Sequence, residues 1–113
     1  IIGCTGMVGQ RFATILENHP WFQVAALAAS ANSAGKTYRE AVEGRWAMKS
    51  PLPSSMSELP VYDAEKDMDQ IVSLVDFVFC AVNMKSEEIR ALEEAYAKKE
   101  CPVISNGAIR MFP

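Results

Sequence analysis

One histidine, three widely separated cysteines and no Cys-x-x-Cys pair leave this chain without a zinc ligand set. An odd cysteine count also argues against a disulfide framework, so Cys4, Cys80 and Cys101 read as reduced thiols and point to the cytoplasm. Basic residues are in the minority. Lys and Arg number 11 against 14 Asp and Glu, a net charge of −3, which excludes the basic face a nucleic-acid partner needs. The longest apolar runs, 24–29 and 77–82, fall far short of the ~20 residues of a membrane span, and no secretory leader precedes the first motif. Acidic residues are missing from one stretch in particular: none occurs from 18 to 39.

What is present is ordinary globular composition, 50% hydrophobic and 22% charged over 113 residues, enough for one small domain with its own core. Ile1-Ile2 looks like the tail of a strand, and the chain reads as a piece of something longer. Val8, Phe12, Ile15 and Leu16 have the spacing of a helix over 7–18 with one buried face, stopped by Asn18-His19-Pro20. "FQVAALAAS" (22–30) predicts a strand covered on both faces. Residues 33–46 are weakly helical, beginning after Gly35, and the proline- and serine-rich 49–60 reads as a loop or excursion. "VYD" (61–63) predicts a short strand, 67–74 a turn or two of helix, and "VDFVFCAV" (75–82) a strong strand. A helix follows over "SEEIRALEEAYAKKE", with Ser86 as its cap and Ile89, Leu92, Ala95 and Tyr96 as its buried stripe. "CPVIS" (101–105) is a last strand before the Asn106-Gly107 turn.

Strands alternating with helices predict βαβ units and a doubly wound, Rossmann-like α/β fold, truncated at the first strand. Such sheets bind ligands beyond the carboxyl ends of their strands. Gly3-x-x-Gly6-x-x-Gly9 stands at the first of these ends, a variant of the dinucleotide fingerprint. One glycine makes the tight turn, another lets backbone approach a pyrophosphate, and the third lets the helix pack close. A plain glycine loop is the alternative, but the strand before and helix after are the context the motif requires. At the end of the second strand, NAD-binding proteins usually carry Asp or Glu for the ribose. Ser30, Asn32, Ser33 and Lys36 stand here instead, a set that suits a 2′-phosphate and favours NADP over NAD. A polar turn with a solvated lysine is the competing reading.

Other constellations carry less. Tyr62-x-x-x-Lys66 has the spacing of a short-chain-dehydrogenase pair but precedes the strand it should follow, so coincidence is the better reading. His19 sits at a helix end, Cys80 in an apolar strand, and Cys4 in the glycine turn with no base nearby. No nucleophilic or acid–base pair is present, so no catalytic residue is expected in this chain.

The segments "GCTGMVGQRF", "LAASANSAGKTYREA", "FCAVNMKSEEIRALEEAYAK" and "PVISNGAIRM", in this order, resemble the N-terminal half of the aspartate-semialdehyde dehydrogenase family across essentially the whole chain. The resemblance implies an NADP-binding domain spanning 1–113, with the substrate and dimerisation domain absent from it. Thr5, Gly6, Met7 and Val8 would hold the pyrophosphate, Ser30 to Lys36 would face the 2′-phosphate, Asn83 would lie near the nicotinamide, and Arg110 would bind the substrate phosphate. Asn32 stands where many members have arginine. The family's catalytic cysteine and histidine match nothing here, so this chain alone is expected to be inactive. The implied reaction of the full-length, homo-oligomeric enzyme is reductive dephosphorylation of β-aspartyl phosphate to aspartate semialdehyde through a cysteine thioester, on the route to lysine, methionine and threonine. Its partners are a small acyl-phosphate substrate and phosphate, with neither nucleic acid nor membrane. Acetylglutamyl-phosphate or malonyl-CoA reductases, or a non-enzymatic nucleotide-sensing module, are the alternatives.

Overall fold

The computed structural model describes residues 1–82, 84–105 and 110–112, the last three as backbone only. Its elements run α1 (Met7–Leu16), β1 (Leu27–Ala29), α2 (Tyr38–Ala41), α3 (Ser54–Ser57), β2 (Val61–Asp63), α4 (Met68–Leu74), β3 (Val78–Cys80), α5 (Ser86–Lys98), β4 (Val103–Ser105) and β5 (Arg110–Phe112). β1 pairs parallel with β2 and β3 parallel with β4, while β5 returns antiparallel along β4. Ile2 joins the two groups by parallel bridges to Ala28 and to Cys80. The spatial order is thus β2, β1, Ile2, β3, β4, β5, with the N-terminal segment in the middle.

Alternation along the sheet explains why both faces are covered. Ile1, Leu27, Ala29 and Val61 point into one cluster with Ala13 and Leu16 of α1, Tyr38 and Met56. Ile2, Ala28, Val78, Cys80 and Val103 point the other way, against Ile71 of α4 and Leu92 and Tyr96 of α5. This is the doubly wound arrangement the sequence predicts.

Several details differ from expectation. The α1 face turned inward is Gly9, Gln10, Ala13 and Leu16, whereas Val8 and Ile15 are exposed, Ile15 by 60%. Gly9 takes the contact, since only a residue without Cβ can sit against the Gly3 carbonyl. The strand expected over 22–30 is paired only at Leu27–Ala29, directly after the Ala26 carbonyl accepts the Ile1 N–H. The weak helix over 33–46 shrinks to four residues behind a Thr37–Glu40 capping box, and the 49–60 excursion contains the single turn α3. Ser86 is the first helical residue of α5, not its cap, which is Lys85. Glu93 replaces Ile89 and Ala95 in the fully buried stripe of that helix. The antiparallel β5 was not anticipated.

Candidate functional site

Gly3 turns at φ +87°, and a Cβ there would stand 2.8 Å from the Ala81 and Val82 backbone. A Cβ on Gly9 would come within 2.0 Å of the Gly3 carbonyl oxygen. These two glycines therefore let the turn lie flat against β3 and let α1 start directly on top of the turn. Gly6 has no such constraint in the fold: its nearest neighbour would be 3.9 Å away. That leaves its missing side chain as open space above the turn, where a ligand's backbone-contacting group can approach.

The turn is fastened from below and behind. The Gly3 and Cys4 N–H groups both donate to the Ala28 carbonyl, at 2.8 and 3.1 Å. The Tyr38 hydroxyl donates to the Cys4 carbonyl at 2.8 Å. Gln10, 1% exposed, donates to the Thr5 and Arg45 carbonyls and accepts the Ala47 N–H, tying the start of α1 to the segment after α2. The first turn of α1 carries no acidic residue. Its free N–H groups and positive dipole end are open to an anion.

A cleft of about 730 Å³ opens above this turn, within the size range of cofactor sites. Thr5, Gly6, Met7 and Val8 form its middle, with Gly3 beneath. Ala29, Ser30 and Ala31 beyond β1, and Asp63, Ala64, Glu65 and Lys66 beyond β2, form one side. Ala81 and Val82 beyond β3, with Met84 and Leu92 of the α5 region, form the other. Ala29 to Ala31, Asp63 to Lys66, and Ala81 and Val82 bring three strands' carboxyl ends into its walls, as a doubly wound sheet requires.

Of the residues singled out in the sequence, Gly3, Thr5, Gly6, Met7, Val8 and Ser30 come together in this cleft. Gly9 lies under it as the packing contact. Ser33 is buried in the turn after β1. Lys36 lies along the outer edge of β2, its carbonyl accepting the Val61 N–H at 2.8 Å, and it does not line the cleft. Asn83 falls outside the described residues. Arg110 begins β5 and is the register partner of Ser105 at the carboxyl end of β4.

Two features escaped sequence reasoning. The first is the turn after β2: Asp63 accepts the Glu65 and Lys66 N–H groups at 2.9 and 3.0 Å, and Asp67 accepts the Asp63 N–H at 2.8 Å. The bonds from the Lys66 and Glu65 N–H groups hold the Asp63 carboxyl below its ordinary range. The Asp-x-Glu-Lys-Asp pattern is a legible turn signal that could have found it. The second is Glu93. It is 1% exposed, and among the described residues neither carboxylate oxygen has a hydrogen-bond partner.

Burial works against thiolate formation at all three cysteines. Burial pushes the Cys4 thiol up to about 12, and Cys80 likewise, the latter also through the nearby Glu93 charge. Burial raises Cys101 as well. All three stay protonated near neutrality, when a nucleophile must be a thiolate. His19 spends its Nδ1 on the Trp21 and Phe22 N–H groups, at 3.1 and 3.3 Å. Tyr62 is half-buried against the core and is not among the residues lining the cleft that Lys66 lines. Among the described residues no group of three His, Cys, Asp or Glu is placed to hold a metal ion, and no helix is long and apolar enough to cross a membrane. A second hollow of about 400 Å³, between Trp21, Phe22, Leu74 and Phe77, lies at the opposite end of the sheet.

Residues 1–112 match the family model described as the NAD binding domain of semialdehyde dehydrogenase. The aspartate-semialdehyde dehydrogenase of Methanothermobacter thermautotrophicus is 35% identical over all of this chain and 30% of the relative. That of Aspergillus fumigatus is 38% identical over 95% of this chain and 28% of the relative. A crystal structure of aspartate-semialdehyde dehydrogenase with NADP from Candida albicans superposes with a TM-score of 0.80 at 31% identity, over 93% of this chain and 28% of that one. The chain thus spans about 30% of the length of the relatives it matches.

Proposed function

This chain belongs to the semialdehyde dehydrogenase NAD-binding domain family, and on that footing we propose that it is the NADP-binding part of an aspartate-semialdehyde dehydrogenase. The observation that carries the reading is the glycine turn, which sets the start of α1 at the centre of a cleft built from three strand ends. Neither a glycine loop without a ligand nor a purely structural turn needs Gly6 to leave space above the backbone.

In this reading the Thr5–Val8 backbone holds the pyrophosphate, Ser30 and the turn after β1 face the adenosine ribose, and Asn83 lies toward the nicotinamide. Ser33 and Lys36 belong to the ribose turn by sequence, at one remove from the cleft wall. NADPH supplies the hydride when bound. This chain's part is to grip, orient and shield, because it holds no thiolate to form an acyl intermediate. Domain 1–113 supplies the cofactor, Arg110 contributes to the substrate phosphate site, and the cysteine, the base and the dimer contacts come from elsewhere in the full-length protein. Its reaction is reductive dephosphorylation of β-aspartyl phosphate, with phosphate leaving and aspartate semialdehyde released. A small biosynthetic enzyme of this kind works in the cytoplasm.

The experiment is phosphate-dependent oxidation of aspartate semialdehyde by the full-length protein, followed as NADPH formation, against N-acetylglutamate semialdehyde as competitor substrate. Turnover of the first alone supports the proposal. Turnover of the second in its place would transfer the domain to a sister acyl reductase, and failure to bind NADP at all would remove the enzyme reading.

A further inference from the structure

We propose that Lys66, and not Lys36, is the cation that makes this cleft prefer NADPH over NADH, an inference that rests on the nucleotide reading above. The preference for a 2′-phosphate needs a positive charge on the adenosine side of the glycine turn and no carboxylate competing for the ribose. Beyond β1 the sequence offers no acid from 18 to 39, so the second condition is met there. At the end of β2, Asp63 is 8% exposed and already accepts two N–H groups of its own turn. Both bonds fall on its Oδ1 and hold the carboxylate to its own turn.

The first condition separates the two lysines. Lys36 is fixed by its backbone to Val61, on the outer edge of β2, and contributes nothing to the cleft wall. Lys66 lies at the carboxyl end of the same strand and lines the cleft that Ser30 lines from β1. Its backbone is pinned to the Asp63 carboxylate at 3.0 Å, while its side chain is exposed and in neither of the ion pairs found among the described residues. A rigid base and a free stem suit an ammonium that closes on a phosphate arriving from solvent. Glu65 lines the cleft beside it, and its negative charge sharpens the dependence on Lys66: without the lysine, that end of the cleft carries only acids.

The test compares the intact protein with Lys66→Gln, Lys66→Arg and Lys36→Gln, by fluorescence titration of NADPH and of NADH at low and moderate salt. Lys66→Gln is expected to weaken NADPH about ten-fold or more, the size of one charge-assisted contact, and leave NADH within about two-fold. Lys66→Arg restores most of the preference, and Lys36→Gln leaves it in place. The salt dependence of NADPH binding falls in Lys66→Gln alone. An unchanged NADPH-to-NADH ratio in Lys66→Gln, or loss of the preference in Lys36→Gln, overturns the assignment. Equal affinity of the parent protein for both nucleotides overturns it as well, while leaving the nucleotide reading standing; binding of neither removes both.

Discussion

The Tyr38 hydroxyl, on the first residue of α2, donates to the carbonyl of Cys4 inside the glycine turn, at 2.8 Å and fully buried. The bond crosses 34 residues of sequence and fixes the height of the turn above the sheet. Tyr38→Phe leaves that carbonyl buried without a partner, at a cost of about 1–3 kcal/mol. For a domain this size each kcal/mol lowers the melting temperature by about 4–8 °C. Thermal unfolding measures the loss, and NADPH titration of the surviving folded fraction should show weaker binding. A melting temperature unchanged within about 1 °C would mean the bond contributes nothing.

Gly9→Ala and Gly35→Ala separate two meanings of glycine. The Cβ at position 9 would meet the Gly3 carbonyl oxygen at 2.0 Å and the Cys4 Cα at 2.8 Å, so α1 must lift off the turn. At position 35 the backbone has φ +88° but the added carbon enters open space. The second substitution is expected to cost about 1–2 kcal/mol of left-handed strain and leave nucleotide binding intact. The first exceeds the ~1–3 kcal/mol of ordinary overpacking and abolishes binding. Denaturant midpoints with parallel NADPH titrations check both, and a Gly9→Ala protein that binds NADPH normally would sink the packing role.

Alkali should unfold this protein early. Cys4 and Cys80 keep their protons in the folded state up to about 12, against about 8.5 when unfolded. A pKa raised by folding gives stability that is complete below the unfolded value and lost as pH rises through the window. Each thiol then removes about 1.4 kcal/mol per pH unit above pH ~9, so the pair removes roughly twice that. Chemical denaturation at half-unit steps from pH 7.5 to 10.5 should give a flat segment followed by a steep fall. Replacing both cysteines with alanine lessens the slope, whatever it does to stability at neutrality.

Arg110→Lys tests the substrate side of the proposal. A guanidinium can grip a phosphate through two parallel N–H···O bonds, a geometry lysine does not reproduce. In the full-length enzyme the substitution should raise the phosphate KM about ten- to a hundred-fold, with NADPH affinity unchanged. Steady-state kinetics with phosphate varied, alongside NADPH titration, distinguishes the two effects. A variant with normal phosphate dependence and damaged cofactor binding would move Arg110 to the other site.

The glycine turn was legible because its rule is local: two glycines forced by sterics and a third left open can be counted in nine residues. The buried face of α1 was legible only in part, through Phe12 and Leu16. Apolar spacing pointed to Val8 and Ile15, but the contact surface is made by Gly9, Ala13 and Gln10, which hydropathy does not mark. Gln10 is inside because three backbone groups, two of them in the distant segment at Arg45 and Ala47, satisfy its amide. Such partners exist only once the chain has folded. The backbone placement of Lys36 depends on a similarly distant partner. The turn after β1 runs back along β2, where the Lys36 carbonyl bonds Val61, and Lys36 is not among the residues that line the cleft.

The seam at Ile2 has a consequence for the protein's lifetime in a cell. The strand bridges between β1–β2 and β3–β4–β5 run through Ile2, backed by Tyr96 bonding the Ala64 carbonyl across the join, and the cleft lies along that line. A dinucleotide gripped by the walls of both halves acts as a clasp over the join. At a hundred times its Kd, such a ligand deepens the closed state by about 2.7 kcal/mol, and degradation that follows the open population slows about a hundred-fold. Cofactor supply would then set how much of this protein survives as well as how fast it works.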